Sequence, residues 1–110
     1  MSKHTMSSHL PGKVADSLEL MGEQIKLARL RRKLSIAAIS ERAQCSELTV
    51  IRAERGTPTV SIGVYARILY ALGLHEDLCL IARDDLAGNA IVNAALLKRN
   101  NFEEEKYAFD

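Results

Sequence analysis

The sequence predicts an all-α fold, a compact bundle of about five to six helices that contains a helix-turn-helix. Apolar residues recur at three- and four-residue spacing from Leu18 to Leu97, and no strand-like alternation of any length appears. Between Leu34 and Gly56, two short helical patterns are separated by a tight turn. With 110 residues, of which 47% are hydrophobic, the chain forms one domain that is small enough to gain from a partner subunit.

Residues 1–16 are expected to form a flexible N-terminal arm. The stretch is polar, contains a Pro11-Gly12 break and has too few apolar residues to offset the entropy of ordering it. Arms that enter a DNA minor groove usually carry arginines, whereas this one offers only Lys3 and Lys13, so we interpret it as a linker.

The first helix is predicted to begin at Asp16 or Ser17 and to run to about Lys33. Its inward positions, at i, i+4 and i+7, are Met21, Ile25 and Ala28. Its last turns carry five positive charges and no negative one, on Lys26, Arg29, Arg31, Arg32 and Lys33. Cations suit a helix C-terminus, and a basic patch beside a helix-turn-helix also suits a phosphate backbone.

The next two helices form the predicted helix-turn-helix. Ser35 caps the first of them, which stops near Gln44-Cys45 and turns three apolar side chains inward: Ile36, Ile39 and Ala43. Ser46 caps the second, Gly56 ends it, and its inward positions are Val50 and Ala53.

Two further helices complete the predicted domain, residues 17–83. Ser61 caps a core helix that stops at Gly73 and carries one apolar stripe: Tyr65, Ile68, Leu69 and Leu72. A short helix from His75 to about Arg83 should then bury Leu78 and Ile81.

A sixth helix is predicted within residues 84–99, where apolar residues from Asp84 to Leu97 keep helical spacing. Five helices already suffice for a core, so we interpret this segment as a dimerisation helix; an ordinary sixth core helix is the alternative. Residues 100–110 are expected to form a mobile acidic tail, since residues 103–110 sum to −3 in a chain of net charge +1.

The sequence does not indicate an enzyme, a cofactor or a metal site. Cys45 and Cys79 lack partners at ligand spacing, so buried thiols in a reducing compartment are expected. No histidine lies near a candidate nucleophile, and no glycine-rich phosphate loop exists. No apolar run approaches the ~20 residues that a bilayer requires, so we expect a cytoplasmic protein without membrane contact.

The run from Met21 to about Leu74 resembles the phage-repressor-like, or XRE-type, helix-turn-helix family. The matching segments, in register, are MGEQIKLARLRRKLS, ISERAQCS, TVIRAERG and YARILYALGL. The resemblance implies a compact bundle of about five helices with a repressor-like helix-turn-helix, in which Arg29 pairs with Glu54. The segments TPTVSIGVYARILYALGL and RDDLAGNAIVNAALLKR look like a narrower, HipB-like subgroup of antitoxins. Such regulators dimerise, repress their own operon and bind a HipA-like kinase toxin.

The resemblance also implies which residues contact double-stranded DNA. Those aimed at bases are Ser35, Ile36, Glu47, Leu48, Thr49, Ile51 and Arg52. Phosphate contacts would fall to Lys33, Arg42, Arg55 and the backbone amides at the Ser35 and Ser46 helix starts. The sequence departs from the family's usual pattern at four positions. Ile36, Leu48 and Ile51 are apolar where the family is often polar, and Glu47 is acidic where a donor to guanine is common.

Two functions therefore remain open at this level. One is a homodimeric, sequence-specific repressor that reads an inverted-repeat operator. The other is an adaptor that restrains a partner protein with little DNA binding of its own, motivated by the apolar departures and by the tail EEEKYAFD. In that tail, acidic residues followed by Tyr107 and Phe109 could engage a basic groove.

Overall fold

The computed structural model describes residues 9–88 and Leu97, and the described chain is all-α, as predicted. Four α-helices precede one 3-10 helix: α1 Gly12–Arg31, α2 Ile36–Ala43, α3 Glu47–Glu54, α4 Ile62–Ala71, and the 3-10 helix His75–Leu80. No strand occurs among the described residues. The chain divides into two compact units, Met1–Leu78 and Cys79–Asp110, and all four α-helices belong to the first.

The core of the first unit is built from the apolar positions that the helical spacing predicts. Its largest fully buried side chains come from three different helices: Val50, Ile39 and Ile68. The other residues predicted to face inward from α1, α2, α3 and α4 are either buried in this core or packed against it. Since each helix buries one face in the same cluster, the packing holds α2 and α3 at the angle that the turn between them allows.

Three serines cap helices, as predicted: Ser35 before α2, Ser46 before α3 and Ser61 before α4. In each case the hydroxyl oxygen accepts a hydrogen bond from the backbone N–H three residues later, at 3.0 or 3.1 Å. Each cap satisfies an amide that has no intrahelical acceptor, which explains why all three helices begin where the sequence indicates.

The start of α1 differs from the prediction. The helix begins at Gly12 rather than at Asp16 or Ser17, so the last residues assigned to the arm are helical. The Pro11 carbonyl oxygen accepts hydrogen bonds from the backbone N–H groups of Val14 and Ala15, at 3.0 and 3.1 Å. The Pro-Gly pair therefore precedes a helix instead of interrupting the chain, and no side chain caps this end.

The end of α1 also comes earlier than expected, at Arg31 instead of about Lys33. Lys33 adopts a left-handed backbone conformation with a φ of 56°, which a helix cannot continue. Its N–H donates to the Leu30 carbonyl at 2.9 Å, and the Leu34 N–H donates to the Arg29 carbonyl at 3.2 Å. These two bonds close the helix end and turn the chain towards α2.

Two glycines allow the backbone of α1 to approach the C-terminal end of α3. A Cβ atom at Gly22 would lie 2.6 Å from both the Glu54 carbonyl oxygen and the Gly56 nitrogen. At Gly56, whose φ is 74°, a Cβ atom would run into the Leu18 carbonyl group. The sequence predicts Gly56 as a helix terminator but gives no indication of its contact with α1, nor of the role of Gly22.

The element after α4 is shorter than predicted. A 3-10 helix, His75–Leu80, replaces the helix expected to reach about Arg83. Leu78 packs against the core, as expected, whereas Ile81 is exposed, which contradicts its predicted burial. Ala82 has a φ of 63°, so a helix cannot continue through this position.

The helix predicted from Asp84 onward does not begin there. Residues 86–88 form a turn, and an Asp85 carboxylate oxygen accepts a hydrogen bond from the Gly88 N–H at 3.0 Å. Apart from Leu97, the remainder of this dimerisation segment lies outside the described residues, as do the acidic tail and residues 1–8. The assignments of these segments therefore stay predictions.

The two cysteines differ in exposure, although the sequence predicts that both are buried. Cys45 is half-buried and Cys79 is exposed. Burial raises the pKa of the Cys45 thiol, and the nearby Arg67 guanidinium only partly offsets that effect. A higher pKa leaves less of the reactive thiolate at neutral pH.

We therefore expect a thiol reagent to label Cys79 faster than Cys45 at pH 7. The measurement is alkylation quenched at successive times, followed by mass spectrometry of the peptides. Cys79→Ser serves as the control, since it should leave only the slow thiol. Equal labelling rates in the native protein would contradict the difference in exposure.

Candidate nucleic-acid interface

The exposed face of α3 lies opposite the residues that this helix buries in the core. Val50 and Ala53 are completely buried. The opposite side carries Leu48, Arg52 and Arg55, which follow one another at i, i+4 and i+7 and are all exposed. We call these three residues the α3 stripe. It combines two guanidinium groups with an apolar side chain that is 52% exposed.

The other predicted base-contacting residues flank this stripe and differ in accessibility. Glu47 is exposed, whereas Thr49, Ile51 and Ile36 are half-buried, and Ile36 packs against the core. The Thr49 hydroxyl lies 2.9 Å from the Ser46 hydroxyl, within hydrogen-bonding distance. Thr49 is therefore engaged in the cap of its own helix, which reduces its capacity to bond to a base.

The starts of α2 and α3 provide backbone donors. Ser35 and Ser46 are exposed and use their hydroxyl groups for capping. Each cap satisfies only one amide, and the other first-turn N–H groups have no acceptor within the helix. Such amides, together with the positive end of the helix dipole, suit a phosphate oxygen.

Three exposed cations predicted to contact phosphates lie on three consecutive parts of the motif. Lys33 is in the turn before α2, Arg42 is in the last turn of α2, and Arg55 is the C-cap of α3. Arg32 is also exposed, but its guanidinium donates to the Ala28 carbonyl at 2.9 Å, which ties it to its own helix.

A buried ion pair fixes α3 to α1. The Arg29 Nε donates to Oε2 of Glu54 at 2.6 Å, and Nη2 donates to Oε1 at 3.1 Å, so the contact is bidentate. The Arg29 Nη1 also donates to the Leu34 carbonyl at 3.0 Å, just before α2. The pair implied by the family resemblance is thus formed. Because the Arg29 side chain joins α1, α3 and the turn before α2, it sets the position of the α3 stripe.

Two contacts from α4, which the sequence does not reveal, also support the motif. The Arg67 Nε donates to the Ala43 carbonyl at 2.8 Å and so holds the last turn of α2. The Tyr65 hydroxyl donates to the Thr57 carbonyl at 3.0 Å, just after α3, and burial raises the pKa of this phenol. The two acceptors are backbone carbonyls that lie eight and 24 residues before their donors, and no residue pattern indicates these contacts.

These features define a class of protein, a helix-turn-helix DNA-binding regulator. The chain belongs to the helix-turn-helix domain family, whose model matches residues 20–79, more than half of its length. The matched region contains α2, α3, α4 and the Arg29–Glu54 pair. No curated protein is significantly similar to the chain.

Among the described residues, no group of acidic, histidine and cysteine side chains could hold a metal ion. No helix within residues 9–88 is both long and apolar enough to cross a membrane. The helix-turn-helix domain family is typically non-enzymatic.

Proposed function

We propose that the protein is a sequence-specific transcriptional repressor that binds an inverted-repeat operator in its own promoter as a homodimer. The observation that carries this proposal is the α3 stripe, an exposed helix face with two arginines that a buried ion pair holds in position. An α-helix of this kind fits the major groove, where each base pair presents a distinct pattern of donors and acceptors.

The side chains of α3 support a specific mode of base readout. The Arg52 guanidinium can donate two hydrogen bonds to O6 and N7 of a guanine. Leu48 can contact a thymine methyl group, and the Glu47 carboxylate can accept from N4 of a cytosine. An apolar stripe residue is therefore compatible with DNA binding, although it departs from the family's usual polar pattern.

Lys33, Arg42, Arg55 and the first-turn amides of α2 and α3 would then contact phosphates. These groups orient the protein on the duplex without reading its sequence. Because α2 and α3 are fixed to each other by the core, the two helix starts would contact the DNA backbone in a fixed relative position.

Arg52→Ala should weaken binding to the operator by ~1–3 kcal/mol and relax the base preference at one position of each half-site. The measurement is a titration of the purified protein, at stated salt, with its own promoter fragment, an unrelated fragment of equal length and single-base variants. Arg83→Ala, which removes an exposed arginine outside the family match, is the matched control. If Arg52→Ala binds the operator as tightly as the native protein, Arg52 does not contact a base.

Lys33→Gln should weaken binding to all DNA sequences alike and reduce the slope of log K against log salt by about one per half-site. Glutamine is a suitable replacement because Gln44 adopts the same left-handed φ of 56° in this chain. Lys13→Gln, at the other end of α1, is the control. A loss confined to the operator would instead mean that Lys33 reads bases.

We further propose that the protein is the antitoxin of a HipA-like kinase. Support comes from the HipB-like resemblance of residues 57–74 and 83–99. The test is co-purification of the full chain with the product of the neighbouring gene, followed by a kinase assay of that product with and without the chain. A kinase that neither binds the chain nor loses activity in its presence would exclude this role.

One observation favours the second candidate function, an adaptor with little DNA binding of its own. Leu48 lies on the exposed stripe, and the half-buried Ile51 flanks it, so the same surface could dock a protein. In the promoter titration, a repressor should prefer its own promoter by ~10³-fold or more. Equal, weak binding to both fragments would favour the adaptor.

A further inference from the structure

The buried side chain of Tyr65 reaches from α4 to the loop that follows α3. The residue belongs to the core and is only 3% exposed, so packing fixes the position of its ring. Its hydroxyl donates a hydrogen bond to the Thr57 carbonyl oxygen at 3.0 Å. The core therefore supplies a donor, at a fixed position, to a residue three places beyond the end of α3.

Thr57 is also the residue that closes α3. Its N–H donates to the Arg52 carbonyl and the Gly56 N–H donates to the Ala53 carbonyl, both at 3.0 Å. With Gly56 in the left-handed conformation, this pair of bonds is the Schellman motif, which satisfies the last carbonyls of a helix. The conformation of the last turn of α3 therefore depends on where Thr57 lies.

Thr57 thus connects the Tyr65 hydroxyl to the backbone of Arg52. Its carbonyl accepts from the phenol, and its N–H donates to the carbonyl of the arginine. Pro58 follows directly, and a proline restricts the backbone conformations of the residue before it. Because Thr57 has few conformations available, a shift of its carbonyl also moves its N–H, and with it the closing turn of α3.

We propose that Tyr65 is a positioning residue for DNA recognition, which acts through Thr57 on Arg52 of the α3 stripe. Tyr65 itself is buried, so it does not contact DNA. The Arg29–Glu54 pair holds the last turn of α3 from the side of α1, and the phenol holds it from the side of α4. The proposal rests on the proposed function and adds to it a residue outside the DNA-contacting surface.

The first test is Tyr65→Phe, which removes only the hydroxyl group and keeps the buried ring. The Thr57 carbonyl retains its second donor, the Val60 N–H at 3.3 Å, so the variant should fold. In the promoter titration it should lower the preference for the protein's own promoter over the unrelated fragment about three- to tenfold. It should also relax the same base position as Arg52→Ala, because both changes act on one guanidinium. Relaxation at a different position would overturn the proposal.

Ile68→Val is the matched control for stability. Ile68 lies one turn beyond Tyr65 on α4 and is completely buried, and the change leaves the phenol in place. Each of the two variants should lower the melting temperature by about 10 °C or less, so the titration is made well below both transitions. Ile68→Val should keep the promoter preference of the native chain. An equal loss of preference in both variants would mean that Tyr65 acts only through stability.

A double-mutant cycle then tests whether Tyr65 acts through Arg52. If it does, Tyr65→Phe should change operator binding less than about twofold once Arg52→Ala is present, because the guanidinium that the phenol positions is already absent. An independent effect would instead persist at about three- to tenfold in both backgrounds, and that outcome would exclude the proposal.

Amide hydrogen exchange tests the same link without DNA. The Thr57 N–H should exchange about threefold or more faster in Tyr65→Phe than in Ile68→Val, because its residue has lost the bond from the phenol. The Ile39 N–H, which donates to the Ser35 carbonyl in α2, should exchange alike in the two variants. Equal exchange at Thr57 would overturn the proposal whatever the DNA titration gives.

These measurements separate the positioning role from the proposed function. If the native chain shows no promoter preference while the Thr57 amide responds to Tyr65→Phe, the repressor proposal fails and the link from Tyr65 to the end of α3 stands. If the native chain prefers its promoter and Tyr65→Phe retains the full preference, the repressor proposal stands and the positioning role fails.

Discussion

Gly56→Ala should lower the free energy of unfolding by about 3–5 kcal/mol, a large share of the 5–15 kcal/mol typical of a domain. Two costs add at this position. The φ of 74° is a conformation that costs a residue with a side chain roughly 1–2 kcal/mol. The new Cβ atom would also meet the Leu18 carbonyl and lie 2.7 Å from the Glu19 Cα. Because these are backbone atoms of a packed helix, the contact can be relieved only by moving α1 away from α3.

Urea unfolding of the native chain and its glycine variants would separate the two costs. Gly73 has a similar φ of 78°, but a Cβ atom there meets nothing within 4 Å. Gly73→Ala should therefore lower the free energy of unfolding only by the conformational cost, about 1–2 kcal/mol. Gly22→Ala tests the steric cost alone, since it has the close contacts without a positive φ. Equal losses at Gly56 and Gly73 would mean that α1 does not need this close approach.

Features fixed by local chemistry could be predicted from the sequence. A serine before an apolar helical pattern identifies a helix start, and three such serines cap helices at the predicted positions. The inward faces of α2, α3 and α4 follow from periodicity alone. The start of α1 could not be placed in this way, because the Pro11 carbonyl replaces a side-chain cap.

Features that depend on tertiary contact were not predictable from the residues themselves. Nothing adjacent in sequence indicates that Gly22 faces the end of α3, or that Arg67 bonds to the last turn of α2. The same distinction applies to the candidate site. The family register identifies its positions, but packing determines that Arg52 is exposed while Ile36 is half-buried, and capping engages Thr49.

Arg29→Met should lower the free energy of unfolding by about 3–5 kcal/mol. The side chains of Arg29 and Glu54 are only 9% and 6% exposed, so removing the guanidinium leaves a buried carboxylate without its partner. The Leu34 carbonyl would lose a donor in the same step. The exposed Arg83–Asp84 pair is the control, because breaking an ion pair in water costs ~1 kcal/mol or less.

The double variant Arg29→Met, Glu54→Leu should lose much less stability than the sum of the two single variants, because neither side chain then leaves an unpaired buried charge. Unfolding of all four proteins in urea gives the coupling free energy, and additive losses would show that the two groups contribute independently.

The same double variant tests what the pair does for function. If the pair serves mainly to hold α3 in position, a folded double variant should bind non-specific DNA as tightly as the native chain but show a smaller preference for its operator. If that preference is the same as in the native chain, the core alone positions the α3 stripe.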